Sequence, residues 1–273
     1  MRAAVLGSPI AHSLSPVLHL AAYRALGLDD WDYGKHECRE PELAGFVDRL
    51  GPEWAGLSLT MPLKRVALEV ADEISPLAAA TGAANTLVFR PGRIRADNTD
   101  VAGIIATLRG TGFDGGGRAV VLGAGGTAQA ALAALAELQV TRIEVLVRSL
   151  ERTGELRATA ERIGVTPALS DALLDPERAS AAIRGADVVI STLPGAAADP
   201  LRGAGPGSVL LDVVYAPWPT PFAAAGQAAG ARVCSGLEVL LQQAVDQVQL
   251  MTGRPGPVDE MRAALDAAVL TRG

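Results

Sequence analysis

Between Ala119 and Leu135 the chain reads AVVLGAGGTAQAALAAL, and no other stretch restricts the fold as strongly. The apolar run with adjacent valines suits a strand buried on both faces, and an alanine-rich run of helix formers follows the glycines. Between them, Gly123-Ala124-Gly125-Gly126-Thr127-Ala128 fits the pattern G-x-G-x-x-G/A. Gly123 allows the tight turn, Gly125 lets backbone approach a pyrophosphate, and Ala128 lets helix and strand pack closely. The unpaired N–H groups and positive dipole end of the helix then face the phosphates. Some glycine-rich turns are purely structural, but the setting between strand and helix favours nucleotide binding.

The next strand bears on which nucleotide. Arg142 to Val147 (RIEVLV) is the expected second strand, and an NAD site usually carries an acidic residue near its end for the ribose 2′-hydroxyl. That place reads Val147-Arg148-Ser149-Leu150-Glu151-Arg152, with no acid at the strand end. Arg148 and Arg152, four apart at the expected start of the next helix, can flank one phosphate, although both can equally be solvated surface residues. NADP is therefore preferred over NAD.

With 273 residues the chain can bury a sizeable core in one large or two moderate domains. A net charge of −6 argues against a nucleic-acid or anionic-membrane partner. No apolar segment is long enough to span a bilayer, and MRAAVLGSPI reads as a strand and turn, not a signal peptide. Two isolated cysteines, Cys38 and Cys234, form no metal motif or disulfide framework, so a cytoplasmic, metal-free protein is expected. Against 22 arginines stand two lysines, Lys35 and Lys64, and there are only two asparagines, Asn85 and Asn98. Where such rare residues occur, their particular chemistry is a reasonable suspect.

Taken in order, Ala3 to Leu6 is a short strand leading to Gly7-Ser8-Pro9. Pro16 suits a first helical position with Ser15 as its N-cap, the helix running to about Gly27. Capping alone explains Ser15, yet Ser13 and Ser15 also present hydroxyls near a helix N-terminus, where a carboxylate is readily bound. No other ligand residue stands at metal-ligand spacing from His12, which reads as a structural histidine or one that supports a site from behind. Tyr33 to Glu37 is a second strand, Glu42 to Leu50 a helix, and Trp54 to Leu59 a buried strand. Thr60 can then cap, and Pro62 start, a helix carrying Val66 to Val70. Lys64 would lie in its first turn, where the dipole disfavours a cation and lowers its pKa, suiting proton transfer; a plain surface lysine is the alternative.

Ala83 to Phe89 enters a strand that Pro91-Gly92 turns back into Arg93 to Ala96. Asp97-Asn98-Thr99-Asp100 follows, before a helical pattern from Val101 to Leu108. Any of Asn98, Thr99 or Asp100 can simply cap that helix, but four polar residues in a row exceed what one cap needs, which makes Asp100 a candidate carboxylate for a site. Thr111 to Gly117 (TGFDGGG) reads as a linker. Beyond it, strands near Ala119–Leu122, Arg142–Val147, Asp187–Ser191 and Ser208–Val214 alternate with helical segments, a doubly wound pattern. Tyr215 opens a proline-rich loop after the last of these, at the edge where such sheets bind ligands; core packing is as good a reading for its ring. From Gly236 an amphipathic helix runs to Gly253, with Gln243 beside its apolar stripe and able to turn inward. A final helix covers about Val258 to Leu270.

Seven motifs in this order resemble the shikimate dehydrogenase family: GSPIAHSLSP (Gly7 to Pro16), SLTMPLK (Ser58 to Lys64), GAANTL (Gly82 to Leu87), DNTD (Asp97 to Asp100), GAGGTAQA (Gly123 to Ala130), Tyr215 with its proline-rich loop, and GLEVLLQQA (Gly236 to Ala244). The resemblance spans nearly the whole chain. It implies an α/β protein of two domains: an N-terminal substrate domain with a mostly parallel sheet (residues 1–110, completed by 236–273) and a Rossmann-like NADP-binding domain (residues 111–235). It implies reversible NADPH-dependent reduction of 3-dehydroshikimate to shikimate, a step of aromatic amino acid biosynthesis, by a monomer or homodimer. By matching position, Ser13 and Ser15 hold the substrate carboxylate with help from Tyr215, while Thr60, Asn85 and Gln243 bond the ring hydroxyls. Lys64 and Asp100 become the catalytic pair at the reacting C3 oxygen. Gly123 to Ala128, Arg148, Arg152 and Gly236 go to the cofactor.

Three departures stand out. Ser58 replaces a frequent Asn, Val147-Arg148-Ser149 stands for Asn-Arg-Thr, and Ser191 to Gly195 is less polar than usual. Alternative functions are a quinate or aminoshikimate dehydrogenase and, in a different class, a non-catalytic NADP-binding sensor. A sensor needs the glycine loop but not Lys64 with Asp100.

Overall fold

The computed structural model describes residues 1–271, and the chain forms two compact units. One comprises Met1–Gly103 together with the chain from Leu240 onward; the other is Ile104–Val239. Each holds a six-stranded sheet.

In the first unit the elements are β1 (Arg2–Gly7), α1 (Ser15–Ala25), β2 (Asp32–Glu37), α2 (Leu43–Val47), β3 (Trp54–Leu59), β4 (Glu73–Ile74), α3 (Pro76–Thr81), β5 (Thr86–Arg90), β6 (Arg93–Asp97) and the start of α4 (Asp100–Gly110). The sheet order is β2-β1-β3-β5-β6-β4. The β1–β2, β1–β3 and β4–β6 pairs are parallel, while β5 runs antiparallel to β3 and to β6. Alternate residues of β1 feed two cores, as the two-residue strand period requires. Ala4 and Leu6 pack with Leu57, Leu59, Leu63 and Leu87, and Ala3 and Val5 with Tyr23, Tyr33 and Met251.

The second unit contains β7 (Arg118–Leu122), α5 (Gly126–Glu137), β8 (Arg142–Leu146), α6 (Gly154–Arg162), β9 (Ala168–Ser170), α7 (Pro176–Ile183), β10 (Val188–Ser191), β11 (Val209–Asp212), α8 (Pro221–Ala228), β12 (Arg232–Ser235) and the first residues of α9 (Gly236–Thr252). The rest of α9 and α10 (Val258–Leu270) belong to the first unit, where α10 packs on α1. All pairings in the second sheet are parallel, in the order β9-β8-β7-β10-β11-β12. That is the doubly wound order 3-2-1-4-5-6, whose direction reverses between β7 and β10. Its core gathers Val120, Leu122, Val189, Leu210 and Phe222.

The α/β class and the mostly parallel sheets agree with the sequence reading. Four local expectations do not hold. Ser15 is not an N-cap: α1 begins at Ser15 itself, and Leu14 is the capping residue, its carbonyl accepting from Val17 and Leu18 N–H. The helix expected from Pro62 is a turn followed by a single 3₁₀ turn at Val66–Leu68. Its backbone groups are claimed elsewhere: Met61 O accepts from Ser8 N–H, and Lys64 O from Ala84 N–H at 2.7 Å, so the i to i+4 ladder has no carbonyl at residue 64. Arg152 lies in a 3₁₀ turn (Leu150–Thr153), because α6 starts only at Gly154. The helix expected over Glu42–Leu50 is shortened to α2 after a 3₁₀ turn at Glu40–Glu42. No described helix is long and apolar enough to cross a membrane.

Candidate active site

Within the first unit, the polar residues of three motifs meet where β5, the turn after β3 and the start of α4 converge. Lys64 Nζ donates to Asp100 Oδ2 at 2.6 Å, with the two side chains 24% and 13% exposed. Thus the pair is reachable from solvent yet partly shielded, the setting in which a charge pair interacts more strongly than in water. The other carboxylate oxygen of Asp100 accepts from Asn85 Nδ2 at 2.9 Å. Asn85 is buried, and its Oδ1 takes the Thr99 N–H (2.9 Å) and the Thr86 hydroxyl (2.8 Å). Gln243 does turn inward: its Oε1 accepts from Asn85 Nδ2 at 3.3 Å, while its Nε2 donates back to Leu240 O.

Since no α-helix starts at Pro62, Lys64 feels no helix dipole there. What fixes Lys64 is its own carbonyl, bound to Ala84 N–H next to Asn85, so the Met61–Arg65 turn and the start of β5 hold each other. Thr60 extends the β1–β3 ladder by donating its N–H to Leu6 O. Gly7 permits this approach, since a Cβ there would collide with the Thr60 methyl. Thr99 precedes α4 and its carbonyl accepts from Gly103 N–H at 2.9 Å, while Asn98 Oδ1 accepts from Asp100 N–H at 3.1 Å.

Ser13 and Ser15 stand side by side at the start of α1, Oγ to Oγ 3.3 Å, and Ser13 Oγ also accepts from Ser15 N–H. Their loop is braced by β2. Glu37 accepts from Ser8 Oγ (2.6 Å) and Ile10 N–H (3.1 Å), and Lys35 Nζ donates to Ala11 O. The Ser8 hydroxyl bond holds the Glu37 carboxyl below its ordinary pKa. Lys35, the other rare lysine, is therefore a loop brace.

In the second unit, Gly123 ends β7 with φ +107°, a conformation open to glycine, and a Cβ there would meet Thr192 Oγ1. Gly125 caps α5 and faces open space, Gly126 and Thr127 form the first helical turn, and Ala128 is fully buried against the sheet. A cleft of about 600 Å³ lies at the point where strand order reverses, lined by Gly123–Gly125, Arg148, Ser149, Arg152 and Thr192–Pro194. Open α/β sheets bind ligands in this position. Arg148 and Arg152 thus line the same cleft as the glycine loop, although a 3₁₀ turn and not a helix carries Arg152.

Tyr215 lies half-buried three residues beyond β11. The root of its loop is tied by Thr220 Oγ1 donating to Asp212 Oδ2 at 2.8 Å, and burial pushes the Asp212 carboxyl up. Gly236 opens α9 against β11, where a Cβ would collide with Val213 O. Among the described residues no group of three or more His, Cys, Asp or Glu side chains is arranged to hold a metal.

Two members of this network are not singled out by the sequence, Thr86 and Gln247, whose Nε2 donates to the Thr86 hydroxyl oxygen at 3.0 Å. Thr86 follows Asn85 and passes for an ordinary strand residue. Gln247 follows Gln243 by one helical turn, and that spacing is the available signal.

Two family models match the chain: the shikimate dehydrogenase substrate binding domain over residues 5–87 and the shikimate 5'-dehydrogenase C-terminal domain over residues 236–265. A shikimate dehydrogenase (NADP(+)) of Caulobacter vibrioides is 39% identical, with 94% of this chain and 92% of that protein covered. The crystal structure of Mycobacterium tuberculosis shikimate dehydrogenase superposes with a TM-score of 0.85 at 46% identity, covering 98% of this chain and 99% of that one. The shikimate 5-dehydrogenase of Thermus thermophilus, solved in complex with NADP(H) and shikimate, gives 0.83 at 31% identity, over 98% and 99% of the two chains.

Proposed function

The chain belongs to the shikimate dehydrogenase family, and on that premise we propose that it reduces 3-dehydroshikimate reversibly to shikimate with NADPH. The observation that carries this reading is the Lys64–Asp100 pair with Asn85 and Gln243 gathered around it. A non-catalytic NADP sensor has no use for such a set.

NADPH, when bound, supplies the hydride to the carbonyl carbon. The residues of the first unit deal with the oxygen. As the ketone gains a hydride, negative charge develops on its oxygen, and the Lys64 ammonium is suited to stabilise that charge and deliver the proton. Asp100, bonded to Nζ, aims it and keeps its charge balanced in a partly shielded site. Asn85 donates to the far oxygen of Asp100 and so limits the carboxylate to one orientation. Ser13 and Ser15 are assigned to the substrate carboxylate, with the Tyr215 hydroxyl, and Thr60, Asn85 and Gln243 to ring hydroxyls.

For the cofactor, the fit lies in the second unit: open space at Gly125, free N–H groups at the start of α5, and two arginines on the cleft wall. Gly123 to Ala128 would hold the pyrophosphate and Arg148 and Arg152 the 2′-phosphate, and Gly236 is assigned to the cofactor as well. Residues 1–110 with 236–273 serve the substrate and residues 111–235 the cofactor. The enzyme works in the cytoplasm on small molecules, in aromatic amino acid biosynthesis, as a monomer or homodimer.

The test is a hydride-transfer assay of shikimate and quinate, each with NADP and with NAD. Turnover highest for shikimate with NADP is expected. Preference for quinate, or absence of turnover with every pair, would overturn the reading.

A further inference from the structure

A buried chain of hydrogen bonds runs from α9 to the Lys64–Asp100 pair, and its direction is fixed by chemistry. It begins at Gln247, which is 1% exposed. The Gln247 side chain lies 3.2 Å from the Asn85 backbone carbonyl. A carbonyl can only accept, so the atom facing it must be the NH₂ of Gln247. The same NH₂ donates to Thr86 Oγ1 at 3.0 Å, and Gln247 Oε1 accepts from Ser58 Oγ at 2.7 Å. Because Thr86 Oγ1 accepts from Gln247, its single proton is left for Asn85 Oδ1, 2.8 Å away. Asn85 Oδ1 then holds two donors, the Thr86 hydroxyl and the Thr99 N–H, and Nδ2 must point to Asp100 Oδ1. The flipped amide would set an oxygen against a carboxylate oxygen.

We propose that Thr86 and Gln247 are positioning residues for the reaction: they hold the Asn85 amide in the one orientation that presents N–H to Asp100, and through Asp100 they aim Lys64. The inference rests on the function proposed above. The Thr99 N–H, 2.9 Å from Oδ1, favours the same orientation, whereas the Thr99 hydroxyl favours neither, lying 2.9 Å from Nδ2 and 3.2 Å from Oδ1; Thr86 supplies the second donor that holds the oxygen end. Thr86 is fully buried, so no water replaces its hydroxyl when that group is removed. Ser58 belongs to the same chain. It accepts from Tyr33 OH at 2.6 Å and commits its own proton to Gln247 Oε1, which also lies 3.3 Å from His19 Nε2, so the Gln247 NH₂ faces β5.

The experiment is a double-mutant cycle on kcat for NADPH-dependent reduction of 3-dehydroshikimate, with thermal unfolding recorded for every variant. Thr86→Val keeps the side-chain shape and removes the hydroxyl. It is expected to lower kcat about tenfold, with Thr86→Ser close to wild type. In an Asn85→Ala background, Thr86→Val should lower kcat no further, because Thr86 acts through Asn85; general loosening of the fold would add to the loss. Gln247→Met should behave as Thr86→Val does, and covers the case in which one variant fails to fold. An active wild type whose Thr86→Val and Gln247→Met forms keep full kcat, or lose it additively with Asn85→Ala, overturns the proposal alone. A wild type inactive on 3-dehydroshikimate overturns it together with the function it rests on.

Discussion

Lys64 and Asp100 are 36 residues apart in sequence and 2.6 Å apart in space, one on the turn after β3 and the other opening α4. Neither element is shaped by the pair; each is set by backbone bonds of its own, so the ion pair is positioned rather than positioning. Removing one partner should therefore spare the fold and strike the chemistry. Lys64→Ala is expected to depress kcat by about 10²- to 10⁴-fold, the usual worth of a placed acid–base group, with NADPH affinity near wild type. Asp100→Asn should also fall steeply, since an amide cannot balance the ammonium. Steady-state kinetics with a separate NADPH titration checks both, and undiminished turnover in Lys64→Ala would remove it from the mechanism.

Arg148 and Arg152 are exposed on the wall of the cleft that holds Gly123–Gly125. NAD and NADP differ by the 2′-phosphate alone, so a guanidinium that reads it should count for one cofactor only. Arg148→Ala is expected to raise KM for NADP about tenfold or more and to leave KM for NAD within about twofold, an exposed charge-assisted contact being worth roughly 1–3 kcal/mol. Equal losses for both cofactors would show that Arg148 does not read the phosphate.

Glu37 grips the Ser8–Ile10 segment through two accepted hydrogen bonds, and this segment leads into Ser13 and Ser15. Glu37→Ala should loosen the serines while leaving Lys64 and Asp100 untouched, so KM for 3-dehydroshikimate rises several-fold and kcat changes little. The Ser8 hydroxyl bond depresses the pKa of Glu37, so the brace is intact at neutral pH and is lost only as pH falls through that lowered value. A fall in kcat with unchanged KM would contradict this role.

Turn chemistry is local, and the parts of the molecule that rest on it are legible in the sequence. The positive φ of Gly123, the burial of Ala128 and the hairpin through Pro91-Gly92 need only their own neighbourhoods, and they stand where the residues point. Lys64 stands out in the sequence for a reason the structure removes. The helix dipole expected around it is absent, because Ala84, 20 residues on, takes the carbonyl that the helix would have used. Tertiary pairing of that kind leaves no periodic mark. Edge strands β4, β9 and β12, of two to four residues, are too short to carry a pattern. Gln243 is visible by its place beside an apolar stripe; Gln247, on the same face one turn later, looks in sequence like the solvent-facing glutamines around it.

His19 gives the last prediction. It is fully buried on α1, stacked on Tyr33 with ring centroids 4.0 Å apart, and bonded through Nε2 to Gln247 Oε1 at 3.3 Å. Burial pulls its pKa down from 6.5 to about 3, so the folded protein keeps it neutral. Above pH 6.5 both folded and unfolded states hold a neutral imidazole, and the group adds no pH dependence. Between 6.5 and about 3 only the unfolded state takes up the proton, so stability falls as pH falls through that window. By about pH 5 the loss from this group reaches about 2 kcal/mol, at roughly 1.4 kcal/mol per pH unit below the ordinary histidine value. His19→Phe retains a ring for Tyr33 and cannot titrate. Denaturant unfolding at about pH 7 and about pH 5 should show the variant losing about 2 kcal/mol less than the wild type on acidification. If both proteins lose stability equally, His19 does not govern the acid limb.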